Sequence, residues 1–180
     1  MIKPSNGFVF WLTGLPCSGK TTIAKELVEI IKRDFPHQHI ERLDGDVIRQ
    51  DLTRDLGFSK EDRDINIDRV AFVSEILSRN GVGVISAFVS PYISHRENVK
   101  KRVTNFLEIH VNAPLEICEQ RDVKGMYKKA REGLIKDFTG IDDPYEAPIN
   151  PDLEIRTHEE DVSESVQKCL NILMERKLLI

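Results

Sequence analysis

Residues 8–21 read FVFWLTGLPCSGKT. The first six form a short apolar run rich in β-formers, and the last eight fit G-x-x-x-x-G-K-[ST] in full. From about Lys20 to Lys32 the pattern turns helical, with Ile23, Leu27 and Ile30 on one side. Strand, glycine-rich turn and helix in that order make a phosphate-binding loop. Gly14 and Gly19 let the backbone bend so that successive N–H groups point inward at phosphate oxygens. The positive end of the helix adds to that field. Lys20 is placed to reach the β- and γ-phosphates, and the Thr21 hydroxyl to ligate Mg²⁺. The expected ATP contacts are Gly14, Leu15, Pro16, Cys17, Ser18, Gly19, Lys20, Thr21 and Thr22, with Thr21 as the metal ligand. A turn that binds nothing is the competing reading, and the flanking strand and helix argue against it. Helix N-termini lower thiol pKa values, but Cys17 is read as loop filler. The motif specifies ATP or GTP and leaves the phosphate acceptor open.

Further along the chain, strands and helices alternate. HIERLD (39–44) suits a second strand, and Ser59 with Asp62 starts a helix over 60–79 that Asn80-Gly81 stops. VGVISAFV (82–89) has the near-continuous apolar character of a strand buried on both faces. Ser90-Pro91 reads as an N-cap and first turn for a helix through Asn98. FLEIHV (106–111) is a strand, Pro114 opens a helix at its first turn, and LEI (153–155) is a last short strand. Asp161 with Glu164 caps a final helix. Residues 121–150 are polar, basic, and then rich in Gly, Asp and Pro, as binding loops and lids often are. The expected fold is α/β with a mostly parallel five-stranded sheet between helical layers, in one domain over 1–180.

Composition excludes several classes. The 180 residues carry 26 Lys+Arg against 30 Asp+Glu, a net charge of −4, which argues against a nucleic-acid binder relying on bulk positive charge. Cys17, Cys118 and Cys169 are scattered, without a Cys-x-x-Cys pair, so neither a disulfide framework nor a zinc site is indicated. His37 and His39 read as surface residues. The run Phe8–Leu12 is too short for a signal peptide or a membrane span. A cytoplasmic protein without a membrane partner is expected.

The acceptor side begins at LDGD (43–46), which closes the second strand on the edge where the loop lies. A carboxylate there can accept a hydroxyl proton or help place Mg²⁺. Asp44 and Asp46 alternate in direction along an extended chain, so only one of them must face the site. On the following helix, Arg63, Asn66 and Arg69 share a face that suits an anionic substrate. A solvated face is the plainer alternative.

In LDGDVIR (43–49), DLGFSKEDRDINIDR (55–69), SPY (90–92), APLEICEQRDVKGMYKKAR (113–131) and IKDFTGIDDPYEAP (135–148), the chain resembles the adenylyl-sulfate kinase family. The resemblance spans about residues 8–157 and implies a P-loop NTPase-type three-layer sandwich. It also implies the reaction: Mg²⁺-dependent transfer from ATP to the ribose 3′-hydroxyl of adenylyl sulfate. By motif, Asp44 is the base or orienter of that hydroxyl. Asp46, Arg49, Arg63, Asn66 and Lys136 lie with the acceptor, and Phe58 and Phe138 sandwich its adenine. The resemblance also implies that Arg121 packs on the ATP adenine and that 121–141 is a lid whose basic run includes Lys124 and Lys128. Ser90 matches a position described as forming a phosphoserine; direct transfer, with Ser90 in a structural role, is preferred. Ile93 and His95 stand where many members have Arg and Asp, and Thr53 where Asn is frequent. The family implies a homodimer. Without a sulfurylase segment, a stand-alone kinase or an excised piece of a fusion is expected, and Met1 with its short lead-in favours the former. Two alternatives stay open: a kinase for another small hydroxyl compound, and a nucleotide-binding module without catalysis.

Overall fold

The computed structural model describes residues 7–179. Among these, five strands form one parallel sheet in the order β2-β3-β1-β4-β5. They are β1 (Phe8–Thr13), β2 (Ile40–Asp44), β3 (Gly83–Ala87), β4 (Phe106–Asn112) and β5 (Leu153–Arg156). The helices are α1 (Lys20–Asp34), α2 (Gly45–Ile48), α3 (Lys60–Arg79), α4 (Ile93–Arg102), α5 (Leu115–Arg121), α6 (Met126–Arg131) and α7 (Val162–Glu175).

The alternation of β1 explains the layering. Phe8, Phe10 and Leu12 share one face and pack with Ile23 and Leu27 of α1 and Val166 and Leu170 of α7. Val9 and Trp11 face the other way, onto Ile67 and Val70 of α3 and Val99 of α4. Both faces of the central strand are therefore covered, and every residue of β1 and β3 is buried. A third, smaller core gathers Ala113, Cys118, Tyr127, Ala130 and Phe138 under the segment read as a lid.

Capping follows the sequence in two places. The Ser59 side chain accepts from the Asp62 N–H, and Asp161 with Glu164 forms a full capping box on α7. It departs from it in two others. Ser90 does not cap a helix: its φ is 38°, and α4 begins at Ile93 with Tyr92 as N-cap. The first N–H of α4, from Ile93, donates instead to Glu146 Oε2 at 2.7 Å. Pro114 is the N-cap of α5 rather than part of its first turn. His37 and His39 are exposed in the turn before β2, and all three cysteines are free.

Candidate active site

The C-terminal ends of β2 and β3, with the loop after β1, open on one cavity of about 410 Å³, within the range of small-molecule clefts. The phosphate loop forms one wall. A Cβ on Gly14 would collide with the Val111 carbonyl oxygen, so that position requires glycine. Gly19 sits at φ 107° directly before α1. Lys20 is buried, and its ammonium donates to Gly14 O at 2.9 Å, Leu15 O at 2.7 Å and Ser18 Oγ at 3.3 Å. Burial pushes its pKa down to about 8, against the pull of the Cys118 and Cys17 thiols and of the Asp44 and Asp46 carboxylates. Pro16, Cys17 and Thr21 line the cavity with it.

The second wall comes from β2, α2 and α3. Asp44 is buried, with Oδ1 accepting from the Asp46 N–H at 3.1 Å and Oδ2 from Arg42 at 2.9 Å. Arg49 places its guanidinium 4.4 Å from the centroid of the Phe58 ring. Phe58 is 55% exposed, a large aromatic surface left open on the cavity side. Arg63 and Asn66 are buried on the cavity face of α3, and Asn66 Oδ1 has no hydrogen-bond partner among the described residues. Arg69 does not join them. It turns outward to Asp55, at 2.6 and 2.8 Å, and to Leu52 O at 3.0 Å. The solvated reading holds for that residue.

Ser90 lies on the cavity floor, 2% exposed, with its Oγ accepting from the Trp11 indole at 3.0 Å. Its carbonyl oxygen accepts from Arg96 at 2.6 Å. These contacts tie Ser90, at φ 38°, to β1 and α4.

Residues 121–141 close the remaining side. Val123, Lys124, Met126, Ile135, Lys136 and Phe138 line the cavity from residues 121–141. Phe138 is buried edge-on against Tyr127 at 4.9 Å, and the Tyr127 hydroxyl donates to Pro16 O in the loop at 2.9 Å. Lys124 pairs with Asp46 across the mouth, and Arg63 pairs with Asp143 and the Asp137 carbonyl. Tyr92 donates to the same Asp143 at 2.9 Å.

Thus Pro16, Cys17, Lys20, Thr21, Asp44, Asp46, Arg49, Phe58, Arg63, Asn66, Ser90, Lys136 and Phe138 are brought to one cavity. Gly14, Leu15, Ser18, Gly19, Thr22 and Arg121 are not among its lining residues. Arg121 lies behind the loop, donating to Cys17 O at 3.3 Å, Ser18 O at 3.4 Å and Thr157.

The family model for adenylylsulphate kinase matches residues 6–156. The chain belongs to the adenylyl-sulfate kinase family. A protein named "Probable adenylyl-sulfate kinase" from Pseudomonas aeruginosa is 60% identical over 161 residues, 89% of this chain and 74% of that one. The adenylyl-sulfate kinase of Halothermothrix orenii is 50% identical over 97% of this chain and 94% of its own. Among solved structures, the Mycobacterium tuberculosis APS kinase in complex with AMPPNP and APS superposes with a TM-score of 0.90. It is 37% identical, over 95% of this chain and 99% of that one. As an adenylyl-sulfate kinase, the chain falls in a class of ATP-dependent phosphotransferases. No helix among its described residues is long and apolar enough to cross a membrane.

Several side chains around this kinase site escaped the motifs. Arg42 and Asp44 are two apart on a strand, and that spacing alone puts them on one face. Arg96 is 2% exposed and ties Glu108, Ser90 O and Glu146 O together. Thr157 Oγ1 braces the loop at Ser18 O, 2.7 Å away. These last two act through partners distant in sequence, which no local pattern records.

Proposed function

We propose that the cavity holds the terminal phosphates of ATP beside adenylyl sulfate, and that phosphate passes directly to the ribose 3′-hydroxyl of the latter. The observation that carries this reading is the convergence of Lys20, Asp44, Arg63, Phe58 and Phe138 on one cleft. Lys20 offsets charge on the transferring group, and Asp44 accepts a hydrogen bond from the attacking hydroxyl. Arg63 and Arg49 meet the phosphosulfate, Phe58 and Phe138 stack on the uncharged base, and Lys136 adds a cation at the rim. The lid excludes the water that would otherwise hydrolyse ATP. Thr21 presents a hard hydroxyl oxygen next to Lys20 on the cavity wall, which fits Mg²⁺. When held at Thr21, that ion would partly neutralise the phosphate charge. Arg121, braced behind the loop, suits the ATP base. Localisation in the cytoplasm belongs to the same reading. So does a homodimer, which Ile65 and Phe72, exposed seven residues apart on α3, support. Light scattering should then give twice the 20.6 kDa chain mass.

Arg63→Ala should raise KM for adenylyl sulfate by roughly 10- to 100-fold, the loss of a charge-assisted hydrogen bond, and leave KM for ATP within about twofold. Equal losses for both substrates would contradict the assignment.

The pH dependence follows from Lys20. Above about pH 8 the ligand-free lysine loses its proton. The unfolded chain keeps that proton to 10.5, so between these values the unfolded state binds more protons and this group makes the fold more stable as pH rises. Function moves the opposite way, because the neutral amine offers no charge to a phosphate. In pH–rate profiles, kcat/KM for ATP should fall as pH passes through about 8. At saturating ATP, kcat should hold to higher pH, since bound phosphates restore the ammonium.

ADP release measured with Mg-ATP and a panel of acceptors tests the whole reading. Release that depends on adenylyl sulfate supports it. Release with a sugar acid or nucleoside and none with adenylyl sulfate replaces it, and no release with any acceptor leaves a binding module.

A further inference from the structure

We infer that Arg42 is a positioning residue for phosphoryl transfer, acting through Asp44. The inference rests on the reading of Asp44 as the residue that receives the acceptor hydroxyl.

Arg42 lies on the edge strand β2 and shares a face with Asp44, two residues on. It does not line the cavity. Its Nη1 stands 2.9 Å from Asp44 Oδ2, while the Asp46 N–H takes Oδ1 at 3.1 Å. Each carboxylate oxygen thus has one fixed donor, and the group cannot rotate without breaking one of them. A lone pair remains on each oxygen for a donor in the cavity.

The burial makes the pair necessary. The Asp44 side chain is 5% exposed and that of Arg42 24%. A buried carboxylate is costly unless a cation and hydrogen bonds answer it. Among the described residues, Arg42 is the one that forms an ion pair with Asp44. Lys20 lies near enough to feel the carboxylate, but its ammonium is engaged with Gly14 O, Leu15 O and Ser18 Oγ.

The consequence is chemical. A carboxylate held by a guanidinium on one oxygen and a backbone N–H on the other is a well-aimed hydrogen-bond acceptor. Phosphoryl transfer through a loose transition state needs alignment of the attacking hydroxyl more than early removal of its proton. Arg42 therefore keeps Asp44 aimed at the attacking hydroxyl, whose proton passes to that carboxylate late, as the new P–O bond forms and the bond to ADP breaks.

The test compares Arg42→Met, Arg42→Lys, Asp44→Asn and the double variant Arg42→Met/Asp44→Asn, each checked by thermal melting. Arg42→Met should lower kcat by roughly 10- to 100-fold, with KM for ATP unchanged within about twofold. Arg42→Lys should recover part of that loss, because it restores the cation. In the Asp44→Asn background, Arg42→Met should cost nothing further, since the two act as a unit. Wild-type kcat in a folded Arg42→Met, or losses that multiply in the double variant, would overturn the inference. If Arg42→Met does not fold, Arg42→Lys against Arg42→Gln decides: equal kcat in those two removes any role for the charge. An inert Asp44→Asn with a fully active Arg42→Met sinks the inference alone, whereas an active Asp44→Asn sinks the underlying reading of Asp44.

Discussion

Lys20→Ala should lower kcat by about 100- to 1,000-fold, the cost of removing one preorganised donor from a developing charge. The ammonium is the cavity cation nearest the loop, and its present partners are two loop carbonyls and Ser18 Oγ. In the ligand-free state those acceptors hold the lysine where phosphate oxygens would replace them. The variant should keep its fold. A charged lysine whose pKa is pressed from 10.5 to about 8 by burial costs roughly 3 kcal/mol at neutral pH, and its removal offsets the three lost hydrogen bonds. Steady-state assay beside a thermal melt checks both parts. A large activity loss with a near-normal melting temperature is expected; retained turnover would remove Lys20 from the mechanism.

Asp44→Asn is the second large effect. The substitution keeps shape and still lets an oxygen accept from the Asp46 N–H, but it removes the negative charge. It also turns an amide donor toward Arg42, which is itself only a donor. Turnover should drop by about 100- to 10,000-fold, the span typical of a lost general base or orienter. ATP affinity should hold, because the loop contacts are untouched. Near-normal turnover would leave the acceptor hydroxyl without its proposed partner.

The parts of the molecule that repeat a period were legible in the sequence. The span of α3, Lys60–Arg79, follows from its capping serine and apolar stripe, and β1 and β3 from runs that stay apolar on both faces. The short elements were not. The four residues of α2 and six of α6 are too few to show a helical period, and tertiary contacts hold them in place.

The site divides in the same way. Motif residues such as Lys20, Asp44 and Phe58 line one cavity. Their partners come from far along the chain: Arg63 meets Asp143 eighty residues away, and Trp11 meets Ser90 seventy-nine away. Ser90 is instructive, because a Ser-Pro pair usually starts a helix. Here the indole of Trp11 and the guanidinium of Arg96 hold it in a left-handed turn instead, and Glu146 caps the helix from another segment. Local propensity cannot anticipate a cap supplied from fifty-three residues away.

Titrating adenylyl sulfate into the protein saturated with a non-hydrolysable ATP analogue, followed by calorimetry, tests the two-nucleotide cleft most directly. The account predicts one adenylyl sulfate bound per chain while the analogue stays in place. Absence of binding heat, or release of the analogue as adenylyl sulfate enters, would contradict it.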